Sequence, residues 1–150
     1  MSKKVVRRSN CPISFGLDLF GDKWTLLILR DILLFERSRF REFAPWEHIA
    51  TNILSDRLER LERAGLIIKI RDNALKNQFI YSATEKGWQL LPVVVEMMFW
   101  GFQNDQETPV CKGYVERIKT EKVTLIRDAT KAIEQGRFQE YRQKVMGVSV

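Results

Sequence analysis

Apolar residues recur at helical spacing between residues 48 and 67, and this pattern predicts a helix followed by a strand. The apolar stripe consists of Ala50, Leu54, Leu58 and Leu61. Gly65 supplies the left-handed residue that ends the helix, and we expect Leu66 to pack back against it. The opposite face carries Asn52, Asp56, Glu59 and Arg63. The helix is therefore amphipathic, with its leucines toward the core and short polar groups toward solvent.

Two helices are predicted ahead of this stretch. The first begins at Pro12, because proline is favoured at the first helical position, and Gly21 ends it. Its apolar face consists of Ile13, Leu17 and Phe20. Asp22 can cap the second helix, which runs to Phe35 and is apolar on nearly all sides. We expect that helix in the centre of the domain or in contact with a second subunit.

A short third helix precedes the amphipathic one. Ser38 is a favourable cap for this short helix, Glu42 can close back on the cap, and Pro45 ends it. Residues 44–49 then form the turn into the amphipathic helix. The short helix, the turn and the amphipathic helix together predict a helix-turn-helix.

Strand-like patterns come after the amphipathic helix. Residues 66–71 are rich in β-branched side chains, residues 79–83 alternate, and residues 72–77 hold turn formers. The sequence therefore predicts a β-hairpin with Lys76 and Asn77 near its tip. A hairpin directly after the second helix of a DNA-binding helix-turn-helix is a wing, and the tip of a wing can reach DNA. A hairpin that only closes the core accounts for the strands equally well.

The remaining third of the chain is predicted to be helical. Thr84 can cap a helix that Pro92 kinks, and residues 101–113 form a linker by composition. The apolar face of the kinked helix consists of Leu90, Leu91, Val94, Val95, Met98, Phe99 and Phe102. This face, together with Trp88 and Trp100, is more apolar surface than the core of so small a domain can bury. We therefore expect part of it to lie in a dimer interface. Residues 114–135 form a further amphipathic helix that Gly136 ends. Phe138, Tyr141 and Val145 indicate a short last helix.

Composition limits the class of protein. The length of 150 residues suits one packed domain, and 45% hydrophobic with 29% charged residues is normal for a globular chain. The net charge of +6 favours a polyanionic partner. The first ten residues hold four basic residues and no acid, so we expect residues 1–10 to form a mobile basic arm.

Several functions are disfavoured by what the sequence contains. The two cysteines and the single histidine have no metal-ligand spacing, so no metal or cofactor is predicted. No nucleophile and histidine pair, phosphate loop or paired carboxylates indicate catalysis, and we expect that the protein is not an enzyme. The chain start does not read as a secretory signal. Charges and a proline interrupt its apolar stretches, so we expect a cytoplasmic protein without a membrane contact.

The amphipathic helix carries candidates for base recognition. Thr51, Asn52 and Asp56 can reach base edges, because asparagine pairs with adenine and aspartate accepts a hydrogen bond from cytosine. Asp56 has a simpler alternative, an ion pair with Arg60 one turn on. These three residues lie where a recognition helix enters the major groove.

Several sequence blocks, taken together and in order, resemble the HxlR family of winged helix-turn-helix transcriptional regulators. The blocks are CPI at 11–13, LDLFGDKWTLLILRD at 17–31, RFREF at 39–43, LSDRLERLE at 54–62, GLI at 65–67, YSATEKG at 81–87, LPV at 91–93 and WG at 100–101. The resemblance implies a mainly α fold with a small β-hairpin wing and flanking dimerisation helices. It covers roughly residues 11–101, and His48 departs from it by standing where a glycine is common.

The resemblance implies a homodimer on double-stranded DNA, with the N-terminal helix and the long helix after the wing at the interface. Two-fold symmetry then predicts an inverted-repeat operator with half-sites about 34–36 Å apart, or a multiple of that. We expect three parts: the arm at 1–10, the winged domain at 11–103 and a C-terminal helical extension at 104–150.

Phosphate contacts are expected from hydroxyl and basic side chains. Ser55 and Arg57 match the family pattern, although Ser55 can instead bond its own helix backbone. No acid lies three or four residues from Arg57, so an ion pair within the helix is not expected. Further candidates are Arg39 and Arg41 in the short helix and Arg71 and Lys76 in the wing.

Cys11 is the candidate for a regulatory role. A thiol at a helix N-terminus is favoured as the reactive thiolate by the helix dipole, and basic residues lie just upstream. The resemblance implies an oxidant or electrophile sensor at this place, with Cys111 as a candidate second thiol. The alternative is a buried, unreactive thiol. His48 is expected to be a turn residue.

A different class of function also fits the sequence. A winged helix can dock a protein instead of DNA, with the amphipathic C-terminal helix as the partner surface. A small-molecule effector is a further partner compatible with a transcriptional regulator.

Overall fold

The computed structural model describes residues 8–45, 47–75, 77–105, 107, 112–137 and 140–141, with the backbone alone for residues 112–118. Its elements are α1 Pro12–Phe20, α2 Thr25–Leu34, a 3-10 helix Phe40–Glu42, α3 Thr51–Arg63, β1 Ile67–Arg71, β2 Phe79–Ala83, α4 Glu85–Trp88, α5 Leu91–Asn104 and α6 Lys112–Glu134. The chain divides into two compact units, one up to Gly87 and one from Trp88 onward. The predicted fold class, mainly α with one hairpin, is confirmed.

The core of the first unit is built on α2. Ile28, Leu29 and Ile32 are fully buried, as expected for a helix that is apolar on nearly all sides. The stripe of α3 buries Leu54, Leu58 and Leu61. Burial of each such side chain contributes about 1.5–3 kcal/mol, so these leucines hold α3 in one orientation.

The expectation that Ala50 belongs to this stripe is wrong. Ala50 is exposed and caps α3 with an extended backbone, φ −63° and ψ 141°. A residue outside the helical turn does not share the helical spacing of the side chains that come after it. The buried stripe therefore begins at Leu54.

Side-chain caps define the connections around α2. Asp22 caps α2, as predicted, because its carboxylate accepts hydrogen bonds from the backbone N–H groups of Trp24 and Thr25 at 2.9 and 3.1 Å. Glu42 closes back on its own helix and accepts from the N–H groups of Ser38 and Arg39, both at 2.9 Å.

Ser38 is not the cap of the 3-10 helix, contrary to the prediction; Arg39 occupies that position. The Ser38 carbonyl instead accepts a hydrogen bond from the Tyr81 N–H at 2.7 Å, which places Ser38 beside β2. Arg39 forms an isolated antiparallel bridge with Ile80. The chain before the 3-10 helix is thus attached to β2 by a single bridge, a long-range pairing that local patterns do not reveal.

The end of α3 sets the direction of the wing. Gly65 has φ +70°, and the N–H of Gly65 bonds the Glu62 carbonyl at 2.9 Å. The N–H of Leu66 bonds the Leu61 carbonyl at 3.0 Å, and Leu66 is buried. These two bonds form the Schellman motif, which satisfies the last carbonyls of a helix and turns the chain sharply. The predicted left-handed end is confirmed.

The hairpin pairs β1 with β2 in antiparallel register, from Ile67 opposite Ala83 to Arg71 opposite Phe79. Ile67 and Ala83 are buried at its base. Thr84 comes directly after β2 and caps α4, as predicted: its hydroxyl accepts from the Gly87 N–H at 3.1 Å and donates to the Gly65 carbonyl at 2.6 Å. The base of the wing is thereby tied to the end of α3.

Two predictions for the chain around the start and end of α5 are wrong. Pro92 lies in the first turn of α5 and does not kink one long helix, because α4 ends at Trp88 and a new helix begins at Leu91. Proline fits the first turn of a helix, where its missing N–H has no partner to lose. The linker predicted from Gly101 is helical as far as Asn104.

The long C-terminal helix α6 packs on α5. Lys122 of α6 pairs with Glu96 of α5, and its ammonium nitrogen lies 4.5 Å from the Phe99 ring centroid. Gly136 has φ +66° and lies just after the end of α6, as predicted for the residue that stops this helix. Tyr141 is helical, whereas Phe138 and Val145 of the predicted last helix lie outside the described residues.

Candidate nucleic-acid interface

One face of α3 presents short polar side chains to solvent, and we refer to it as the reading face. It consists of Thr51, Asn52, Ser55 and Asp56, all exposed. The buried leucines lie on the other side of the helix, so rotation of the reading face inward would expose them. Ala50 offers no side-chain acceptor to the first N–H groups of α3, which leaves this helix start suited to an oxygen anion. The structure brings together all four predicted residues of this face.

The turn before α3 depends on unusual backbone torsions. His48 has φ +49° and Ala44 has φ +42°, both in the left-handed region that favours glycine. His48 is thus a turn residue, as predicted. The torsion gives a physical reason why glycine suits this position in the family that the sequence resembles.

Arg57 is not a free cation. Its side chain is 18% exposed, and its Nε lies 3.0 Å from the Asp22 Oδ1 at the start of α2. Its Nη1 also pairs with the neighbouring Asp56 carboxylate. The expectation that no ion pair within the helix occupies Arg57 is therefore wrong, because adjacent residues on the helix come together through the long arginine side chain. Asp56 pairs with Arg57 and not with Arg60 in this structure.

The Asp22 carboxylate has several favourable partners. It accepts from the Thr25 hydroxyl at 2.5 Å in addition to the two backbone N–H groups that it caps. Burial raises the pKa of Asp22, but hydrogen bonds to the carboxylate and the positive charge of Arg57 outweigh burial, and the pKa lies below its ordinary value of 3.8. Asp22 therefore carries a negative charge toward α3 at neutral pH.

Arg39 has a similar arrangement at the wing. Its guanidinium pairs with the buried carboxylate of Asp72, and its Nη1 donates to Gln78 Oε1 at 3.2 Å. Asp72 lies directly after β1 and accepts from the N–H groups of Ala74 and Leu75 at 2.8 and 3.3 Å. The Ala74 N–H and the Arg39 guanidinium lower the pKa of Asp72 against the effect of burial.

Other predicted cations differ from these two. Arg41 and Arg71 are exposed, and the part of the chain that the structure describes gives neither an acidic partner within ion-pair distance. Lys76 lies outside the described residues, next to Asn77 with φ +63° in the wing turn. The exposure of Arg41 and Arg71 is compatible with the predicted phosphate contacts.

Two basic residues were missed as candidates by the sequence reasoning. Arg60 is exposed on α3, and Lys69 is exposed on β1 with its Nζ 4.2 Å from the Phe79 ring centroid. The two-residue alternation of β1 places Lys69 on the same face as Arg71, a signal that could have identified it.

Cys11 is exposed and caps α1 with an extended backbone, as predicted for its place in the sequence. Its N–H donates to the Ser9 hydroxyl at 3.2 Å. The alternative of a buried thiol is therefore excluded. Cys111 lies outside the described residues.

Apolar side chains remain exposed in both units. On α1, Ile13 is 73% exposed and Leu17 is also exposed; on α5, Trp100 is 68% exposed, with Met97 one turn before it. Exposed large apolar residues on one helix face are a common feature of protein interfaces. Among the described residues, no helix is long and apolar enough to cross a membrane, and no three potential metal ligands cluster.

Comparisons with known proteins agree with this geometry. The model of the HxlR-like helix-turn-helix family matches residues 19–109. The helix-turn-helix transcriptional regulator YdeP of Bacillus subtilis is 35% identical over 92 residues, 61% of this chain and 71% of YdeP. The regulator BH0655 of Halalkalibacterium halodurans is 30% identical over 102 residues, 67% of this chain and 90% of its own.

A solved structure extends the similarity to three dimensions. The redox regulator HypR in its oxidized form aligns with a TM-score of 0.58 and 31% identity, over 64% of this chain and 99% of HypR. The winged-helix fold is therefore shared with a regulator of known structure.

Proposed function

Because the chain belongs to the HxlR family of helix-turn-helix transcriptional regulators, we propose that it binds an inverted-repeat operator in double-stranded DNA as a homodimer. The observation that carries this proposal is the reading face of α3. Four short polar side chains are exposed on the first two turns of a helix whose opposite side is fixed by buried leucines. A helix with this division fits the major groove.

Base recognition is assigned to the N-terminal part of the reading face. Asn52 pairs with adenine through its amide, Thr51 contacts a base edge or thymine methyl, and Asp56 accepts from cytosine. Asp56 shares its carboxylate with Arg57, so its base contact is the weakest of the three. Ser55 donates to a phosphate beside the groove.

Phosphate contacts are assigned to exposed cations. Arg41 lies in the 3-10 helix before the turn, and Arg71 lies at the end of β1. Lys76, which is outside the described residues, remains a predicted phosphate contact. Neutralised phosphates release counterions, so binding should weaken steeply as salt concentration rises. Arg39 and Arg57 have acidic partners, and their contribution depends on those partners.

A second copy of the chain is assigned to the exposed apolar faces of α1 and α5. The family resemblance implies a dimer contact on these two helices, and the exposure of Ile13 and Trp100 supports it. Two-fold symmetry would carry the two α3 helices into major grooves about 34–36 Å apart, or a multiple of that.

The proposal includes a signal received at Cys11 in the cytoplasm. The exposed Cys11 thiol at the start of α1 can be oxidised by hydrogen peroxide to a sulfenic acid, with one water released, and HypR is a redox regulator. Because α1 is assigned to the dimer contact, chemistry at Cys11 would alter the pairing of the two protomers. A small-molecule effector is the alternative signal.

The test is a mobility-shift titration of the full chain with the DNA upstream of its own gene and with a random duplex of equal length and composition. The proposal predicts tighter binding to the upstream duplex and a steep loss of affinity with salt. Equal, weak binding to both duplexes would overturn it and favour the protein-docking alternative.

A further inference from the structure

We propose that Arg57 and Arg39 are positioning residues that fix α3 and the wing through internal ion pairs, and that they do not bind phosphate. This inference rests on the proposed function, because it divides the basic residues of the DNA-binding surface into two groups. Each arginine joins an element that faces DNA to an acid on a different element. The cations available to phosphate are then those without such an acid, including Arg41, Arg60 and Arg71.

The ion pair of Arg57 connects α3 to the start of α2. The Asp22 Oδ1 lies 3.0 Å from the Arg57 Nε, within ion-pair distance but without hydrogen-bond geometry, and the same carboxylate caps α2. One carboxylate therefore connects the recognition helix to the start of the central helix of the core. Both partners are largely buried, with side-chain exposures of 18% for Arg57 and 23% for Asp22. The same guanidinium also pairs with the exposed Asp56 carboxylate, so acidic groups of this chain already neutralise it.

The ion pair of Arg39 connects the 3-10 helix to the wing. Asp72 is buried and also closes the wing turn through the N–H groups of Ala74 and Leu75. The same segment is attached to β2 by the bridge between Arg39 and Ile80. The guanidinium, the carboxylate and the backbone bridge thus fix the angle at which the wing leaves the core.

A phosphate would have to compete with these carboxylates. Release of Arg57 to DNA would exchange one anionic partner for another and would leave the Asp22 charge partly buried without its cation, which is costly. Arg41 and Arg71, which have no acidic partner among the described residues, form a new ion pair when they contact phosphate. The exposed cations therefore contribute more binding per contact than the internally paired ones.

Substitution of the acidic partner separates the two interpretations, because they predict opposite changes in the affinity for DNA. If Arg57 positions α3, Asp22→Asn weakens binding, because the orientation of the reading face is lost although asparagine can still cap α2. If Arg57 binds phosphate, Asp22→Asn strengthens binding, because a competing carboxylate near the DNA is removed. Asp72→Asn tests Arg39 in the same way.

The experiment measures fluorescence anisotropy of the upstream duplex and of a random duplex across a range of salt concentrations. The variants are Asp22→Asn, Arg57→Gln, Asp72→Asn and Arg39→Gln, the two double variants, and Arg41→Gln as the control for a phosphate contact. We expect each of the four single variants to weaken binding to the upstream duplex about tenfold with an unchanged salt slope. Each double variant should be no weaker than its singles.

Arg41→Gln should instead weaken both duplexes alike and lower the salt slope by about one. A loss of about one in salt slope for Arg57→Gln or Arg39→Gln, or tighter binding by Asp22→Asn or Asp72→Asn, would overturn the proposal. A general loss of stability would also leave the salt slope unchanged, but it would lower the active fraction and so reduce binding of both duplexes equally. Loss of positioning should reduce binding of the upstream duplex more than that of the random duplex.

Urea unfolding of the same variants tests the ion pairs without DNA. Each pair should show a coupling of about two- to tenfold in the unfolding constant in a double-mutant cycle. Absence of coupling in both pairs would overturn the proposal. If the wild-type chain binds neither duplex, the proposed function fails and with it the positioning role, while the cycle still decides whether the ion pairs stabilise the fold.

Discussion

Asn52 lies on the first turn of α3, with its side chain exposed and its backbone fixed by the helix. An amide at this place can donate to and accept from the edge of adenine at the same time. The side chain makes no contribution to the buried leucine stripe. We therefore propose that Asn52 contributes to sequence discrimination and not to the fold.

Asn52→Ala should lower the preference for the upstream duplex over a random one by about 1–3 kcal/mol, because it removes one bidentate base contact. Affinity for the random duplex should stay within experimental error. Paired titrations with both duplexes measure this difference. An equal loss of affinity for both duplexes would contradict a base contact and would show that Asn52 contacts the phosphate backbone instead.

Asp22 and Asp72 make the stability of the fold depend on pH. Both have a pKa below the ordinary value of 3.8, so their stabilising effect is present above that value and is lost as the pH falls through the lower folded value. Unfolding free energy should therefore fall as the pH is lowered through and below 3.8. Asp22→Asn should show a smaller fall in urea unfolding over the same acidic range. An identical pH profile for wild type and variant would contradict this origin.

The residues of the reading face could be predicted from the sequence, whereas the partners of the arginines could not. Helical spacing places Thr51 and Asn52 opposite the leucines in any helix of this sequence. The acid that meets Arg57 lies at the start of α2, and the acid that meets Arg39 lies beyond β1. Such pairs form only when distant segments fold together, so local pattern gives no sign of them.

At the scale of elements, two glycines control how α3 connects to the wing and to α4. Gly65 has φ +70° with open space where a Cβ would lie, so a side chain there meets only backbone strain. A Cβ on Gly87 would lie 2.1 Å from the Leu66 carbonyl oxygen, a contact with backbone that cannot be relieved by rotating a side chain. The close approach of α4 to the end of α3 thus depends on the absence of a side chain at Gly87.

Gly65→Ala should cost about 1–2 kcal/mol of stability, because a residue with a side chain is strained in the left-handed region. Gly87→Ala should cost about 3 kcal/mol or more, because the backbone must move apart. Urea unfolding compares the two variants directly. A smaller loss for Gly87→Ala than for Gly65→Ala would show that α4 can move away from Leu66 freely.

Element boundaries were predicted well where a single residue dictates the backbone. The left-handed ends at Gly65 and Gly136 and the cap at Asp22 result from local chemistry. Pro92 was assigned to the interior of a helix because the apolar pattern continues across it, although proline begins α5. The pattern reports which face is buried, and it does not report whether one helix or two carry that face.

At the scale of the whole molecule, the exposed apolar faces of α1 and α5 are proposed to hold a second protomer. Trp100 on α5 is 68% exposed, and Val123 on α6 is 69% exposed. The two residues are equally accessible, but only Trp100 lies on a helix assigned to the dimer contact. This difference makes Val123 a matched control.

Trp100→Glu should weaken dimerisation about 30-fold or more, because a charge replaces an aromatic side chain that the proposed dimer would bury. Val123→Glu should leave the dimer intact. Sedimentation equilibrium over a range of protein concentrations gives both dissociation constants. A monomeric wild type, or an equal effect of the two substitutions, would contradict the assignment of the contact to α5.

We propose that two α3 helices enter the same side of one duplex from a symmetric dimer. Selection of bound duplexes from a random library by the full chain tests this arrangement. We expect enrichment of an inverted repeat whose half-site centres lie about 10–10.5 base pairs apart, or a multiple of that. Enrichment of a single half-site or a direct repeat, or no enrichment at all, would contradict it.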